Sequence, residues 1–177
     1  MNIAIFNETV SCKFWELTDG TVFEDRFSLD TETCLIDQER PWLIPAFVVA
    51  AVYDGQRAFF LTRKTLADFL HLHRHLPIIM HNAVFDLKVM DVLLRETSLD
   101  IYELVDHNLI SDTQILFRLL RLATTGNSSL DGTGLDVLSH RFLGATMKKD
   151  VTDIDDATIR LNFGRYIREP EIGRAHV

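Results

Sequence analysis

RFSLDTET, residues 26–33, alternates apolar and polar side chains, as a β-strand with one buried face does. Asp30 and Glu32 stand two residues apart in it, so both carboxylates leave the same face of the strand. Two unit charges about 4 Å apart repel by about 4 kcal/mol at an effective dielectric of about 20. A divalent cation relieves that repulsion, and hard Mg²⁺ or Mn²⁺ prefers oxygen ligands. The pair therefore favours a metal site, although an isolated pair with this spacing is more often a solvated edge strand.

The residues after this strand predict a sheet. Residues 45–53 are rich in β-forming side chains and end at Asp54-Gly55, a hairpin turn signal. Residues 57–62 then return as the next strand. Strands joined by hairpins and followed by helices indicate an α/β domain with a mixed sheet.

Helices alternate with one further strand in the middle of the chain. Thr65 is a candidate N-cap for a helix over 66–76, which Pro77 ends. A short buried strand over 78–81 precedes a helix over 84–95. The apolar residues expected on the inward face of this second helix are Phe85, Val89, Val92 and Leu93.

HNAVFD, residues 81–86, spans the point where the buried strand ends and the helix begins. Asp86 lies in the first turn of that helix. Functional groups in open α/β sheets gather at such strand ends, which makes Asp86 a candidate partner of Asp30 and Glu32. The alternative is that Asp86 is only a favourable charge at a helix N-terminus and Phe85 only a core residue.

The second half of the chain is predicted to be largely helical. Asp112 or Ser111 is expected to cap a helix over 113–123, with Ile115, Leu116, Leu119 and Leu122 facing inward.

A loop and two more helices follow. Residues 126–134, GNSSLDGTG, predict a loop; its glycines lack the GxGxxG spacing of a nucleotide-binding turn. A short helix over 135–143 is expected to close at Gly144, and a last helix is predicted over 156–167. The acidic residues near 150–156 fit the charge bias of a helix start.

Composition bounds the class of protein. The 177 residues are 47% hydrophobic and 25% charged, as in one globular domain. No signal peptide and no apolar run long enough to span a bilayer is evident, which makes a cytoplasmic protein the expectation. The net charge of −8 argues against a broad basic surface that coats nucleic acid, but not against an enzyme that grips a strand end through metal ions.

Histidines and cysteines carry weaker signals. HLHRH, residues 71–75, places His71 and His75 on one helical face, but no third metal ligand is evident, so a solvated helix face is predicted. Cys12 and Cys34 have no zinc spacing and are expected to be reduced thiols.

Taken together, these motifs resemble the first two exonuclease motifs of the DEDD, or DnaQ-like, superfamily of RNase H-like fold. DTET, residues 30–33, is similar to the DxE motif, and Asn82, Phe85 and Asp86 are similar to the second motif. SDTQILFRLL, residues 111–120, and LDVLSHRFLG, residues 135–144, followed by KKD, resemble the branch of RNase D and the polymerase I exonuclease domain. The resemblance implies a mixed five-stranded sheet, three antiparallel strands then parallel ones, flanked by helices and incomplete at the C-terminus.

The resemblance also implies a site. Asp30 would bridge two divalent ions, Mg²⁺ or Mn²⁺, while Glu32 and Asp86 would each help to hold one of them. Asn82 and Phe85 would position the terminal nucleotide, and Leu35 or Ile36 would stack on its base.

The third motif of this superfamily, YxxxD or HxxxxD on a late helix, has no acceptable match. Tyr102 to Asp106 fits the first form, and His107 to Asp112 and His81 to Asp86 fit the second, but all three come too early in the chain.

The end of the sequence offers an explanation for the missing motif. EIGRAHV, residues 171–177, back-translates to a common sequencing adapter and is interpreted as an artefact. The organisation expected is an N-terminal extension over 1–23 with short strands, then an exonuclease domain over 24–170 that stops before its third motif and so lacks the fourth acid.

The function expected from the residues and the resemblance is metal-dependent 3′–5′ hydrolysis of single-stranded DNA or RNA ends, either stand-alone or beside a polymerase domain. One alternative is a catalytically silent nucleic-acid-binding or scaffold module of the same fold. Another is an RNase D-like exoribonuclease. No residue recognisably reads a 2′-hydroxyl group, so the sequence does not choose between DNA and RNA.

Overall fold

The computed structural model describes residues 2–5, 8–34 and 36–144 of the chain. Its strands form one mixed seven-stranded sheet in the order β1-β2-β5-β4-β3-β6-β7. The strands are β1 (Asn2–Ile5), β2 (Glu8–Phe14), β3 (Phe27–Thr33), β4 (Phe47–Tyr53), β5 (Ala58–Leu61), β6 (Ile78–Met80) and β7 (Ile110–Asp112). The predicted five-stranded sheet is confirmed as the part β5-β4-β3-β6-β7, with β3, β4 and β5 antiparallel and β6 and β7 parallel to β3.

The two N-terminal strands extend this sheet. β2 runs parallel to β5, with Cys12 opposite Ala58, and β1 pairs antiparallel with β2. Trp15 continues the pairing, since its N–H donates to the Phe60 carbonyl at 3.0 Å. The sequence predicts short strands here but not their place, because a parallel pairing about 45 residues away leaves no local pattern.

The helices are α1 (Leu66–His73), α2 (Ala83–Leu94), α3 (Tyr102–Asp106), α4 (Thr113–Thr125) and α5 (Leu135–Leu143). The hairpin turn at Asp54 and Gly55 is confirmed: the Asp54 side chain accepts bonds from the N–H groups of Gln56 and Arg57. Thr65 does not cap α1 with its side chain. In the described part of the chain, no helix is both long and apolar enough to cross a membrane.

The strand β3 extends beyond its neighbour β6, which leaves room for a helix beside its second half. It pairs with β4 along Ser28 to Thr33, but with β6 only at Phe27 and Ser28. Beyond Ser28, no strand among the described residues pairs with the β6 side of β3. The N-terminus of α2 follows directly after β6 and occupies this position.

The predicted inward face of α2 is partly wrong. Val89 is buried, but Val92 is 44% exposed, and the buried set is Ala83, Asp86, Leu87, Val89, Met90 and Leu94. The true face is rotated about one residue from the expected one. Apolar residues occupy most of the surface of α2, including the exposed Val84 and Val92, so their spacing does not identify the buried face.

The expected inward face of α4 is also wrong. Four apolar residues predicted to face the core are exposed by 44% to 57%: Ile115, Leu116, Leu119 and Leu122. Phe117 is the buried one, and its ring meets that of Phe142 on α5 edge to face, with centroids 5.8 Å apart. Periodicity identifies an apolar stripe on a helix, but it does not say what covers it. The predictions for Lys148 to Asp150, for 156–167 and for 171–177 lie outside the described residues.

An aromatic cluster forms the centre of the core. The Phe69 ring of α1 meets Trp15, Phe23 and Phe27 edge to face, with centroids 5.2 to 5.5 Å apart. It also stacks on His73, at 4.1 Å. These rings join α1 to the strand β3 and to the segment before it.

His73 departs from the prediction of a solvated histidine face. It is buried, whereas His71 and His75 are exposed. Its Nε2 accepts a bond from the Phe23 N–H at 2.9 Å, so its Nδ1 carries the proton and donates to the Phe69 carbonyl at 2.7 Å. Three histidines within five residues look alike in sequence, and only the packing separates them.

His73 predicts a pH dependence of stability. Burial, and then the nearby charges of His75 and Arg57, lower the pKa of His73 in the folded state, against the bond to Phe69 that raises it. Below about pH 6.5, the ordinary histidine pKa, the unfolded chain binds a proton that the folded chain resists. As the pH is lowered through this range, the free energy of unfolding therefore decreases, by at most about 1.4 kcal/mol per pH unit.

Thermal unfolding from pH 7.5 to 5 would measure this effect as a difference between variants. In His73→Gln, the decrease in stability at low pH that is due to His73 should be absent. In His71→Gln, the exposed control, it should remain. Other titrating groups are common to all three proteins and cancel in the comparison. An unchanged pH profile in His73→Gln would contradict the assignment.

Candidate active site

The two acids of β3 lie on its exposed face. Burial alternates along the strand: Leu29 and Thr31 are buried, whereas Asp30 and Glu32 point to the other side and reach solvent. A register shift against β4 falls between Glu32 and Thr33, where the strand ends. The predicted common face for the two carboxylates is thus present.

Asp86 reaches the same strand from α2. It is 3% exposed, and its Oδ1 accepts two bonds from Thr31, from the backbone N–H at 2.9 Å and from the hydroxyl at 2.6 Å. Thr31 is the residue between Asp30 and Glu32. The fold therefore brings the third acid, 54 residues after Glu32, against the strand that carries the first two.

All three carboxylates have a raised pKa, and partial burial is the largest cause for each. Partial burial, then the charge of Asp86, then that of Glu32, raise the pKa of Asp30 to about 6. Burial and the charge of Asp86 raise the pKa of Glu32. Burial raises the pKa of Asp86, against the lowering effect of the Thr31 bonds. None of the ion pairs among the described residues involves these acids.

Such a set fits a hard divalent cation by its chemistry, because all its donors are carboxylate oxygens that need a positive charge nearby. The present rotamers are not yet a coordination sphere. Across the described ranges, no three His, Cys, Asp or Glu side chains stand close enough together to hold a metal ion. Asp86 gives one oxygen, Oδ1, to Thr31.

Asn82 has an unusual backbone. It lies between β6 and α2 at φ 59° and ψ 48°, the left-handed region that few residues other than glycine adopt. Such strain persists where surrounding contacts enforce it, and it is frequent at functional sites. Its side chain is exposed and makes no capping bond to α2.

The other predicted substrate contacts divide. Phe85 is half-buried and packs against the main core, so a core role accounts for much of its surface. Ile36 is exposed in the loop after β3, which also presents the exposed Trp42. Leu35 lies outside the described residues.

Sequence reasoning missed two residues near the site. Thr31 holds Asp86, and Asp112 accepts bonds from the N–H groups of both Asn82 and Ala83. Asp112 was expected only as a helix cap. The sequence signal for Thr31 is its place between the two acids of the DTE motif. For Asp112, the helix-cap pattern gives no sign of its bonds to Asn82 and Ala83.

The three short patterns rejected as the third motif remain poor candidates. Tyr102 and Asp106 bound the exposed helix α3, and the carboxylate of Asp112 is occupied by backbone N–H groups. His81 donates from Nδ1 to the hydroxyl of Thr113. The absence of a third motif from the chain stays a prediction.

The fold defines the class of protein, a domain with an RNase H-like mixed sheet. Solved structures share this fold. NrnC from Brucella melitensis with bound Mg²⁺ matches with a TM-score of 0.56 at 16% identity, over 92% of this chain and 76% of that one. The catalytic core of RRP6 from Trypanosoma brucei matches with a TM-score of 0.52 at 12% identity, over 87% and 40%. The Nibbler EXO domain of Aedes aegypti matches with a TM-score of 0.51 at 11% identity, over 84% and 76%.

These proteins belong to the DEDD 3′–5′ exonuclease superfamily, and at such identities the likeness confirms the predicted RNase H-like fold. Another NrnC structure from Brucella melitensis is 21% identical, and this chain spans only 61% of its length. By sequence, no family model and no curated protein matches the chain.

Proposed function

We propose that this protein is a metal-dependent 3′–5′ exonuclease that removes nucleotides from the 3′ end of a nucleic-acid strand. The observation that carries the proposal is the pair of bonds from Thr31 to Asp86, since it holds a third buried acid beside the two acids of β3. Three carboxylates with raised pKa values against one strand are typical of a functional site, because burial and like charges disfavour their ionised forms. The structural likeness to exonuclease domains supports the same conclusion.

Each acid has a separate role in the proposal. Asp30 would help to hold both of two Mg²⁺ or Mn²⁺ ions, while Glu32 would help to hold one of them and Asp86 the other. Bound divalent ions supply positive charge to the phosphoryl oxygens and lower the pKa of the attacking water. Hydrolysis breaks the bond between phosphorus and the 3′ oxygen, so the products are a nucleoside 5′-monophosphate and a strand one residue shorter.

The remaining residues position the strand end. Asn82 and Phe85, at the start of α2, contact the terminal nucleotide, and Leu35 or Ile36 stacks on its base. Stacking tolerates any base, as an exonuclease requires. A solved NrnC structure, 19% identical, is bound to pGG. The substrate proposed for this chain is likewise the 3′ end of a nucleic-acid strand, either DNA or RNA.

A silent binding module of the same fold is the second candidate. It is favoured by one observation: the acids of the described residues do not yet stand at metal-binding distances. Such a module would bind single strands but would cleave none. The two candidates therefore differ in one measurable product.

The test is a cleavage assay on the full-length gene product. With 5′-labelled single-stranded DNA and RNA, Mg²⁺ or Mn²⁺ should give a ladder that shortens one nucleotide at a time from the 3′ end. EDTA should abolish it, because the carboxylates alone cannot activate water. Comparing DNA with RNA decides between the general and the RNase D-like activity.

Two results would overturn the proposal. Cleavage that persists in EDTA would exclude the metal mechanism. If the protein bound single-stranded DNA and RNA but cleaved neither with Mg²⁺ or with Mn²⁺, it would be the silent binding module instead.

A further inference from the structure

Asp112 makes an unusual number of backbone contacts for a helix cap. Its carboxylate accepts four N–H bonds: from Gln114 at 2.8 Å and Ile115 at 3.2 Å in α4, and from Asn82 at 3.1 Å and Ala83 at 2.8 Å at the start of α2. The Gln114, Ile115 and Asn82 bonds go to Oδ1, and the Ala83 bond goes to Oδ2. One side chain thus caps two helices at once.

The sheet explains how this is possible. β6 and β7 are parallel neighbours, with Met80 directly opposite Asp112, so both strands end at the same edge. The helices α2 and α4 begin there side by side. Thr113 adds a second link, since its hydroxyl donates to the Met80 carbonyl at 3.1 Å and accepts from His81 Nδ1 at 2.9 Å.

These bonds act on the segment that sets the position of Asp86. Asn82 makes no side-chain cap, so Asp112 is the acceptor that satisfies the start of α2 and holds Asn82 in its left-handed conformation. Asp86 follows within the first turn of the same helix, about 4.5 Å along its axis from Ala83. A shift of the helix start would move Asp86 with it, away from Thr31.

We propose that Asp112, with Thr113, is a positioning residue for the active site: it fixes the start of α2 and so the approach of Asp86 to the acids of β3. This inference rests on the proposed function. Groups that orient metal ligands from outside the coordination sphere typically change metal affinity or activity by about 10- to 100-fold when they are mutated.

Asp112→Ser separates the two capping roles. Serine caps helices as well as aspartate does, so α4 keeps its cap, but its single, shorter oxygen cannot also reach Ala83. We expect kcat to fall by about 10-fold or more with little change in KM, and the Kd for Mn²⁺, measured by electron paramagnetic resonance without substrate, to rise by about 10-fold. The Tm should stay near that of Asp100→Ser, a matched control at the start of α3, where Asp100 accepts a bond from the Tyr102 N–H.

Thr113 repeats the test at constant charge, because Asp112→Ser also removes a negative charge near the cation. Thr113→Val should lower kcat and Mn²⁺ affinity in the same direction, and Thr113→Ser, which keeps the hydroxyl, should restore both. This pair also decides the matter if Asp112→Ser does not fold.

The failures are distinguishable. A wild-type protein without nuclease activity would count against the proposed function, while Mn²⁺ affinity would still test the positioning. Wild-type kcat and Mn²⁺ affinity in Thr113→Val and in folded Asp112→Ser would overturn the positioning role alone.

Discussion

Asp30→Asn is expected to lower kcat for 3′-end hydrolysis by about 10³-fold or more, with a much smaller change in KM. Partial burial, then the charges of Asp86 and Glu32, raise the pKa of Asp30 to about 6. An amide has nearly the same shape but no charge to hold a cation. The loss should therefore fall on the chemical step, while the strand end is still bound.

The same substitution should stabilise the metal-free protein. Because the folded-state pKa of Asp30 lies above its ordinary value of 3.8, its ionisation costs the folded state more than the unfolded state. This cost develops as the pH rises from about 4 to about 6, and it is then fully present at neutral pH. The amide of the variant does not ionise, so in EDTA at pH 7 the Tm of Asp30→Asn should exceed that of the wild type, and Mg²⁺ should narrow the gap.

Asp25→Asn is the matched control, since Asp25 is a solvated acid just before β3 that pairs with the exposed Arg26. It should change neither kcat nor the metal dependence of Tm. If Asp30→Asn kept the wild-type rate, the acids of β3 would not be the catalytic ones. If it gained no stability in EDTA, the cost assigned to ionising Asp30 in the folded state would be wrong.

Local patterns predicted the parts of the site that depend on one element each. The alternation around Asp30 and Glu32 gave their common face, and the strand-to-helix boundary before Asp86 gave its place in a first helical turn. Both follow from backbone geometry, in which side chains repeat every two residues in a strand and about every 3.6 in a helix. Neither requires knowledge of what packs against the element.

Pairings between distant elements could not be predicted in this way. The bond from Thr31 to Asp86 depends on β6 ending early beside β3, and the second role of Asp112 depends on β6 and β7 ending at the same edge. In each case a polar side chain satisfied by tertiary contact overrode the apolar periodicity.

Phe69→Ala is expected to cost about 3–5 kcal/mol of the free energy of unfolding, the largest loss of stability predicted for this chain. Phe69 is fully buried and touches four rings: Trp15, Phe23, Phe27 and His73. Its removal leaves a cavity that four rigid rings, tied to different segments, cannot close without moving the backbone. The midpoint of urea unfolding at pH 7 measures the loss.

Leu72→Ala, on the same helix but with a side chain 38% exposed, is the control and should cost much less. It tests whether the loss comes from the cavity rather than from a change in helix propensity, which alanine favours at both positions. Since Phe27 belongs to β3, a looser cluster should also let the strand of Asp30 and Glu32 move. At urea concentrations below its new unfolding midpoint, Phe69→Ala should therefore lose more activity than its unfolded fraction accounts for. A loss of activity that only tracks unfolding would mean that the sheet pairings hold β3 in place without the aromatic cluster.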